Sequence, residues 1–266
     1  MFGNIFNQSV PGQLYHVALD GGHCVLAEPA PELDELVFYY WMIDINDQSV
    51  NLKIIPDGAL DVVFSPWMPD FSIVYLPAIE KFDIPLQGPT CYAGISFEPE
   101  AAQHFFGVTL ETLASLEMGI DTLACLNMQQ LVADIQGVTD IQQIKTLFDN
   151  ALMTRQYQPK RQLGQSAYHH FIHSLESCSI QKVASSIGIS ERQFRRTVHD
   201  ISGLAPKKVQ RIVRLQQLLH ELFSSESLPM EDGFYDESHR IQELKELTGM
   251  TYGELRCMSE IYNSSE

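Results

Sequence analysis

The chain has 266 residues, 45% of them hydrophobic, and 17 basic against 34 acidic side chains, a formal net charge of −17 at pH 7. That length and apolar content allow two domains with cores of their own and exclude a disordered chain. No apolar run reaches the roughly 18 residues that span a bilayer, and MFGNIFNQSV lacks the basic stretch and apolar core of a secretory signal, so a cytoplasmic protein is expected. Up to about residue 98 the pattern is of short strands: LYHVALD (14–20), LVFYYWMIDI (36–45), ALDVVFS (59–65) and FSIVYL (71–76). They are punctuated by Gly21-Gly22, Pro56-Asp57-Gly58, Pro66 and Gly88-Pro89, and strands so short and close argue for a barrel or sandwich. The run Phe38-Tyr39-Tyr40-Trp41 alternates sides in such a strand, so alternate members fill a core or line a pocket. After Phe97 the period becomes helical, over 99–106, 109–115 and 127–136. Asp140 then starts a helix with Ile141, Ile144, Leu147, Phe148 and Leu152 on one face, which either docks on its own domain or pairs with a copy of itself. RQYQPKRQLGQS, 155–166, reads as a linker or hinge, and the remainder is helical.

Charge is unevenly spread. Residues 1–150 hold 20 acids against Lys53, Lys81 and Lys145, whereas 180–220 hold eight Lys or Arg against Glu191 and Asp200, a local net of +6. Residues 221–266 return to eleven acids against Arg240, Lys245 and Arg256. Binding a polyanion requires local rather than global positive charge, so the acidic total does not exclude nucleic acid.

Within the basic island, Ile180, Val183, Ala184 and Ile187 have helical spacing and Gly188 can end that helix in a left-handed conformation. Ser190 fits an N-cap with Gln193 three residues on. The next helix carries Phe194, Val198 and Ile201 on one side, Arg192, Arg195, Arg196 and His199 largely on the other, and stops at Gly203. Two short helices around a glycine turn, the second loaded with arginine, predict a helix-turn-helix whose second helix enters a major groove. Lys207, Lys208 and Arg211 follow Pro206, where they are placed to clamp phosphates.

The stretch VASSIGISERQFRRTVHDISGLAPKKVQRIVRLQQLLHEL, followed by GFYDESHRIQELKELTGMTYGEL, resembles the DNA-binding domain of AraC/XylS-type transcriptional regulators over about 90 residues. The matching positions are Gly188-Ile189-Ser190, Phe194, Arg196, Gly203, Pro206 and Arg211 with Arg214-Leu215. In the second part they are Gly233-Phe234, Asp236, Ser238-His239, Lys245 and Thr248-Gly249. IIPDGALDVVF and GISFEPEAAQHFFGVTLETLASL resemble, less specifically, the sensor domain of one such subgroup. The resemblance implies an α+β protein: a β-rich, barrel- or sandwich-like sensor domain over 1–154 with trailing short helices, a linker over 155–166, and an all-α double helix-turn-helix domain over 167–266. The first unit would span 179–203, the connecting helix 206–222 and a shortened second unit 229–248. It implies a sequence-specific transcription regulator. Ser190, Arg192, Gln193, Arg195, Arg196, His199, Lys207, Lys208 and Arg211 are its expected contacts with double-stranded DNA. A small-molecule effector of unassigned chemistry, a homodimer and a contact with RNA polymerase are the expected partners, with no membrane.

The second unit departs from the pattern. Only FSSESLPMED separates Leu222 from Gly233, Arg240 stands where an aromatic or apolar residue usually follows the Ser-His pair, and Gln242 replaces a frequent arginine. With an acidic balance, such a unit is expected to pack or to bind a protein more than to read DNA. The alternative for the whole chain is a regulator-derived protein that acts through protein contacts with little specific DNA binding.

Other chemistry is sparse. His169 and His173 have the i, i+4 spacing of a zinc pair but share their helix with only Glu176 at a fitting offset, so a solvated or interdomain cluster is expected rather than a metal site. Five scattered cysteines without CxxC spacing argue for reduced, mostly buried thiols. There is no GxSxG and no P-loop, so no enzyme, catalytic residue or cofactor is expected.

Overall fold

The computed structural model describes residues 22–46, 49–115, 128–154, 168, 171–172, 179–223 and 234–257, with the backbone alone at 22, 115, 221 and 234–240. The strand expected at 14–20, the linker at 155–166 and His169, His170 and His173 lie outside these residues, as does the shortened supporting segment before Gly233.

Among the described residues of the N-terminal half there are seven strands: β1 Gly22–Ala27, β2 Val37–Ile45, β3 Val50–Ile54, β4 Leu60–Phe64, β5 Ser72–Tyr75, β6 Phe82–Leu86 and β7 Thr90–Phe97. Five make an antiparallel sheet in the order β1-β2-β7-β4-β5, and β3 pairs with β6 in a second, two-stranded sheet. The two sheets share an apolar layer that includes Phe38, Trp41, Ile43, Leu52, Ile54 and Tyr92. The opposite face of the large sheet, with Tyr40, Met42, Val62, Phe64 and Ile95, is covered by helices. Both faces of the central strands are therefore dry. That is why β2 reads as an almost continuous aromatic and β-branched run, and why every residue of β7 is buried. The expected barrel or sandwich is thus an unequal pair of sheets backed by a helical layer.

That layer comprises α1 Ala101–Phe106, α2 Leu110–Ser115, α3 Gln129–Asp134 and α4 Ile141–Met153. Asp140 caps α4 by accepting the Gln143 N–H at 3.1 Å. Ile144, Phe148 and Leu152 are buried, and the Phe148 ring meets Tyr40 edge-on at 5.2 Å. Asp149 accepts the Tyr40 hydroxyl at 2.8 Å, the Ala30 N–H at 3.0 Å and the Lys145 ammonium at 2.6 Å. The apolar face of α4 is used within its own domain, which removes it as a surface for pairing with a second copy.

The C-terminal half is helical: α5 Ile180–Ser186, α6 Glu191–Ser202, α7 Pro206–Phe223 and α8 Phe234–Thr248, with a further turn of helix over 252–257. α7 serves two cores. Val209 and Val213 pack with Val183, Ala184, Phe194 and Val198 of the α5–α6 pair, while Leu215, Leu219 and Phe223 pack with Leu244 and Leu247 of α8. Ile55, from the connection between β3 and β4, is fully buried in that second core. Beside it Gln216 donates a 2.8 Å hydrogen bond to the Pro56 carbonyl, and Leu110 at the start of α2 lies near Gly203 at the end of α6. The two halves are joined by an apolar plug and a buried hydrogen bond.

Candidate functional site

Two regions concentrate functional chemistry: the exposed side of α6 and a cleft between the two sheets.

On α6 the local sequence does what capping physics requires. Gly188 has φ +74°, the left-handed conformation that turns the chain out of α5. The Ser190 hydroxyl then accepts the Gln193 N–H at 3.2 Å, and Gly203, at φ +68°, ends the helix. Phe194 and Val198 are buried, with the Phe194 ring edge-on to Phe171 at 5.1 Å. Arg192, Arg195, Arg196 and His199 fall at i, i+3, i+4 and i+7, and all four are exposed together with Ser190 and Gln193. Arg195 lies 2.5 Å from Glu191 in an i, i+4 pair. Exposed pairs of this kind are worth only about 0.3–0.5 kcal/mol, so a stronger acceptor displaces Glu191 at small cost. Lys207 and Lys208 are exposed in the first turn of α7.

Arg211, expected on a phosphate, is engaged elsewhere. Its Nε donates to Glu243 at 3.0 Å and its Nη2 donates to Glu246, both on α8, and Arg214 approaches Glu243 at 3.8 Å. The partners lie more than thirty positions away in sequence, so no local pattern revealed them.

The cleft was not anticipated as a site, although the alternation of the β2 aromatics pointed toward it. It occupies about 740 Å³, counted to its open mouth, between β3–β6 and the large sheet. Its floor is polar. Asp61 on β4 is paired across the sheet with Ser96 on β7, whose hydroxyl donates to the Asp61 carboxylate, and Trp41 Nε1 donates to the same oxygen at 3.3 Å. Burial pushes the Asp61 carboxyl up to about 6, against the opposing pull of the Ser96 and Trp41 bonds. Asp57 also lines the cleft, with its carboxylate accepting the Ala59 N–H at 2.9 Å. Tyr39 is buried nearby, and its phenol is held well above its ordinary range by burial and then by the charges of Asp57 and Asp61. The walls are aromatic and aliphatic, and Tyr75 and Phe82, with ring centroids 6.0 Å apart, reach solvent at the rim.

Among the described residues no group of three or more His, Cys, Asp or Glu is arranged to hold a metal ion, and no helix is long and apolar enough to cross a membrane. Cys24 and Cys91 are free thiols, each pushed up to about 12 by burial, and Cys257 is free and exposed.

A domain family of unknown function, DUF6597, matches residues 26–118, from the end of β1 through β7 and the first two helices. No curated protein matches the chain in sequence. Among solved structures, an apo alanine variant of ToxT from Vibrio cholerae covers 90% of this chain and 98% of its own, at 6% identity and a TM-score of 0.41. ToxT from Vibrio cholerae O395 has 7% identity, the same coverages and a TM-score of 0.38. ToxT bound to (E)-4-(8-methylnaphthalen-1-yl)but-3-enoic acid also has a TM-score of 0.38, at 8% identity and the same coverages. Likeness at this level transfers neither a site nor a ligand.

Proposed function

We propose that this chain is a DNA-binding transcription regulator of the AraC/XylS type, in which α6 reads the major groove and the β-rich half receives the signal. One observation carries the reading: an exposed stripe of Arg192, Arg195, Arg196 and His199 stands opposite a buried Phe194 in a protein of net charge −17. Any solvated amphipathic helix keeps its charges off its buried face; what sets this one apart is the local net charge of +6 over 180–220 in so acidic a chain. Arg192, Arg195 and Arg196 pair with base edges or phosphates, for which guanidinium geometry is suited. Ser190 and Gln193 approach at the helix N-terminus, His199 extends the stripe, and Lys207 and Lys208 hold the backbone. Arg211 reaches a phosphate only by leaving Glu243 and Glu246.

The grip of α8 on Arg211 and Arg214 favours a second element of the reading. The second unit packs on the connecting helix and competes with DNA for its charges, so each subunit carries one good reader. A homodimer then supplies two half-sites, and contact with RNA polymerase falls to the remaining surface.

The test is binding of the full chain to DNA upstream of its own gene, across a salt series, against Arg195→Ala/Arg196→Ala. The double variant is expected to lose specific affinity by about 10- to 100-fold, as the loss of one base pairing at about 1–3 kcal/mol requires with the other arginine on a phosphate. Its salt dependence is expected to be shallower by about one unit for each phosphate contact removed. Equal binding by both proteins would remove Arg195 and Arg196 as readers; if neither prefers that DNA over random duplex, a genome-wide pull-down that also recovers no preferred site would replace this reading with a regulator-derived protein that works through protein contacts.

A further inference from the structure

The cleft between the sheets carries charge of one sign. Asp57 and Asp61 line it, and no Lys, Arg or His among the described residues does. An ionised carboxylate buried without a cationic partner costs free energy. Asp61 receives both of its hydrogen bonds on one oxygen, and among the described residues none falls on the other. Burial pushes its carboxyl up to about 6, and a cation beside it would offset the cost of the ionised form. Around it stand Trp41 and Tyr92, both buried, then Phe71 against Tyr92 at 5.2 Å between ring centroids, and Tyr75 and Phe82 at the rim. Aromatic faces attract cations through the ring quadrupole, most strongly where water is excluded. An anion would meet the Asp61 carboxylate in a poorly screened site. A neutral molecule would fill the walls but leave Asp61 unpaired.

We propose that this cleft binds a small organic ammonium ion with an apolar body, its charge against Asp61 and its body between the aromatic rings. The ligand class deepens the reading of the β-rich half as receiver of the signal, which it takes as its starting point. Ligand binding is nevertheless measured without DNA, so the two stand or fall separately.

The experiment uses the full chain near neutral pH and three probes that share one phenyl body: phenethylamine, phenethyl alcohol and phenylacetate. Binding is read by calorimetry. The amine is expected to bind about tenfold tighter than the alcohol, as a desolvated cation–π and charge contact gives, and phenylacetate weakest of the three. Asp61→Asn, checked for folding by circular dichroism, is expected to bring the amine down to the alcohol. Phenylacetate binding as tightly as the amine, an unchanged amine preference in folded Asp61→Asn, or no binding of the amine at all would each overturn the proposal. If Asp61→Asn does not fold, the order of the three probes on the wild-type chain decides. A Tyr75→Leu chain, altered only at the rim, is then expected to narrow the gap between amine and alcohol, and an unchanged gap counts against the proposal.

Discussion

Gly94 shows how one residue sets the floor of the cleft. On β7 it is paired with Trp41 of β2, and a Cβ placed there would lie 2.3 Å from two atoms of the indole. Only glycine lets the indole lie across the strand with its N–H toward Asp61. Gly94→Ala is expected to expel the indole and destabilise the fold by about 1–3 kcal/mol, the usual cost of overpacking. A denaturant melt and, in a Trp67→Phe background that leaves Trp41 as the sole tryptophan, a red shift of its emission would show both effects together, whereas unchanged emission would mean that the sheet absorbs the extra methyl. This arrangement was hidden in the sequence for a physical reason. A glycine within TCYAGISF weakens a strand pattern, and Asp61 within ALDVVFS resembles an ordinary solvent-facing alternation. Only the second sheet, whose β6 contains Pro85, turns that face inward.

The elements legible in advance were those whose signals are local. The Ser190 cap, the left-handed Gly188 and Gly203, and the apolar stripe of α4 each depend on residues within a turn or two, and each is present. What α4 docks against, and what holds Arg211, depends on partners distant in the chain, and periodicity carries no such information. The cap also gives a test at its own scale. Ser190→Ala is expected to cost about 1 kcal/mol of stability, and to weaken DNA binding by fraying the turn that carries Arg192. Equal affinity in both proteins would place Arg192 outside the contact.

For the whole molecule, the seam between the halves matters most. Ile54, Asp57 and Ala59 line the cleft, while Ile55 and Pro56, between them in sequence, are held by the helical half. A cleft occupant therefore touches the segment that fastens the two halves, and differential binding to two arrangements of that segment is what an effector requires. The same seam holds a titrating group. Glu98, buried where the sheet meets Tyr168, Ile172 and Val209, is held well above the usual carboxylate range by burial and then by Glu100; Asp57 and Tyr168 line the same pocket. A carboxyl whose folded pKa is raised binds its proton more tightly in the fold, so stability falls as pH rises from the ordinary range through the raised value. Glu98→Gln keeps the shape without the charge. It is expected to flatten that decline, with a melting temperature at mildly alkaline pH higher than wild type by about 2–4 °C per kcal/mol recovered. Parallel pH profiles for the two proteins would move the decline to another group.

The Ile55 plug also bears on how such a protein can change over generations. Recombination often replaces one half of a two-part chain while keeping the other. Here a newly joined N-terminal half would leave an apolar hole beside Leu215, Leu219 and Leu244 and strip Gln216 of its acceptor, unless it brought its own aliphatic side chain and carbonyl to the same spot. A chimera that exchanges the N-terminal half alone is therefore expected to be less stable than one that brings an aliphatic side chain and a carbonyl to those two positions.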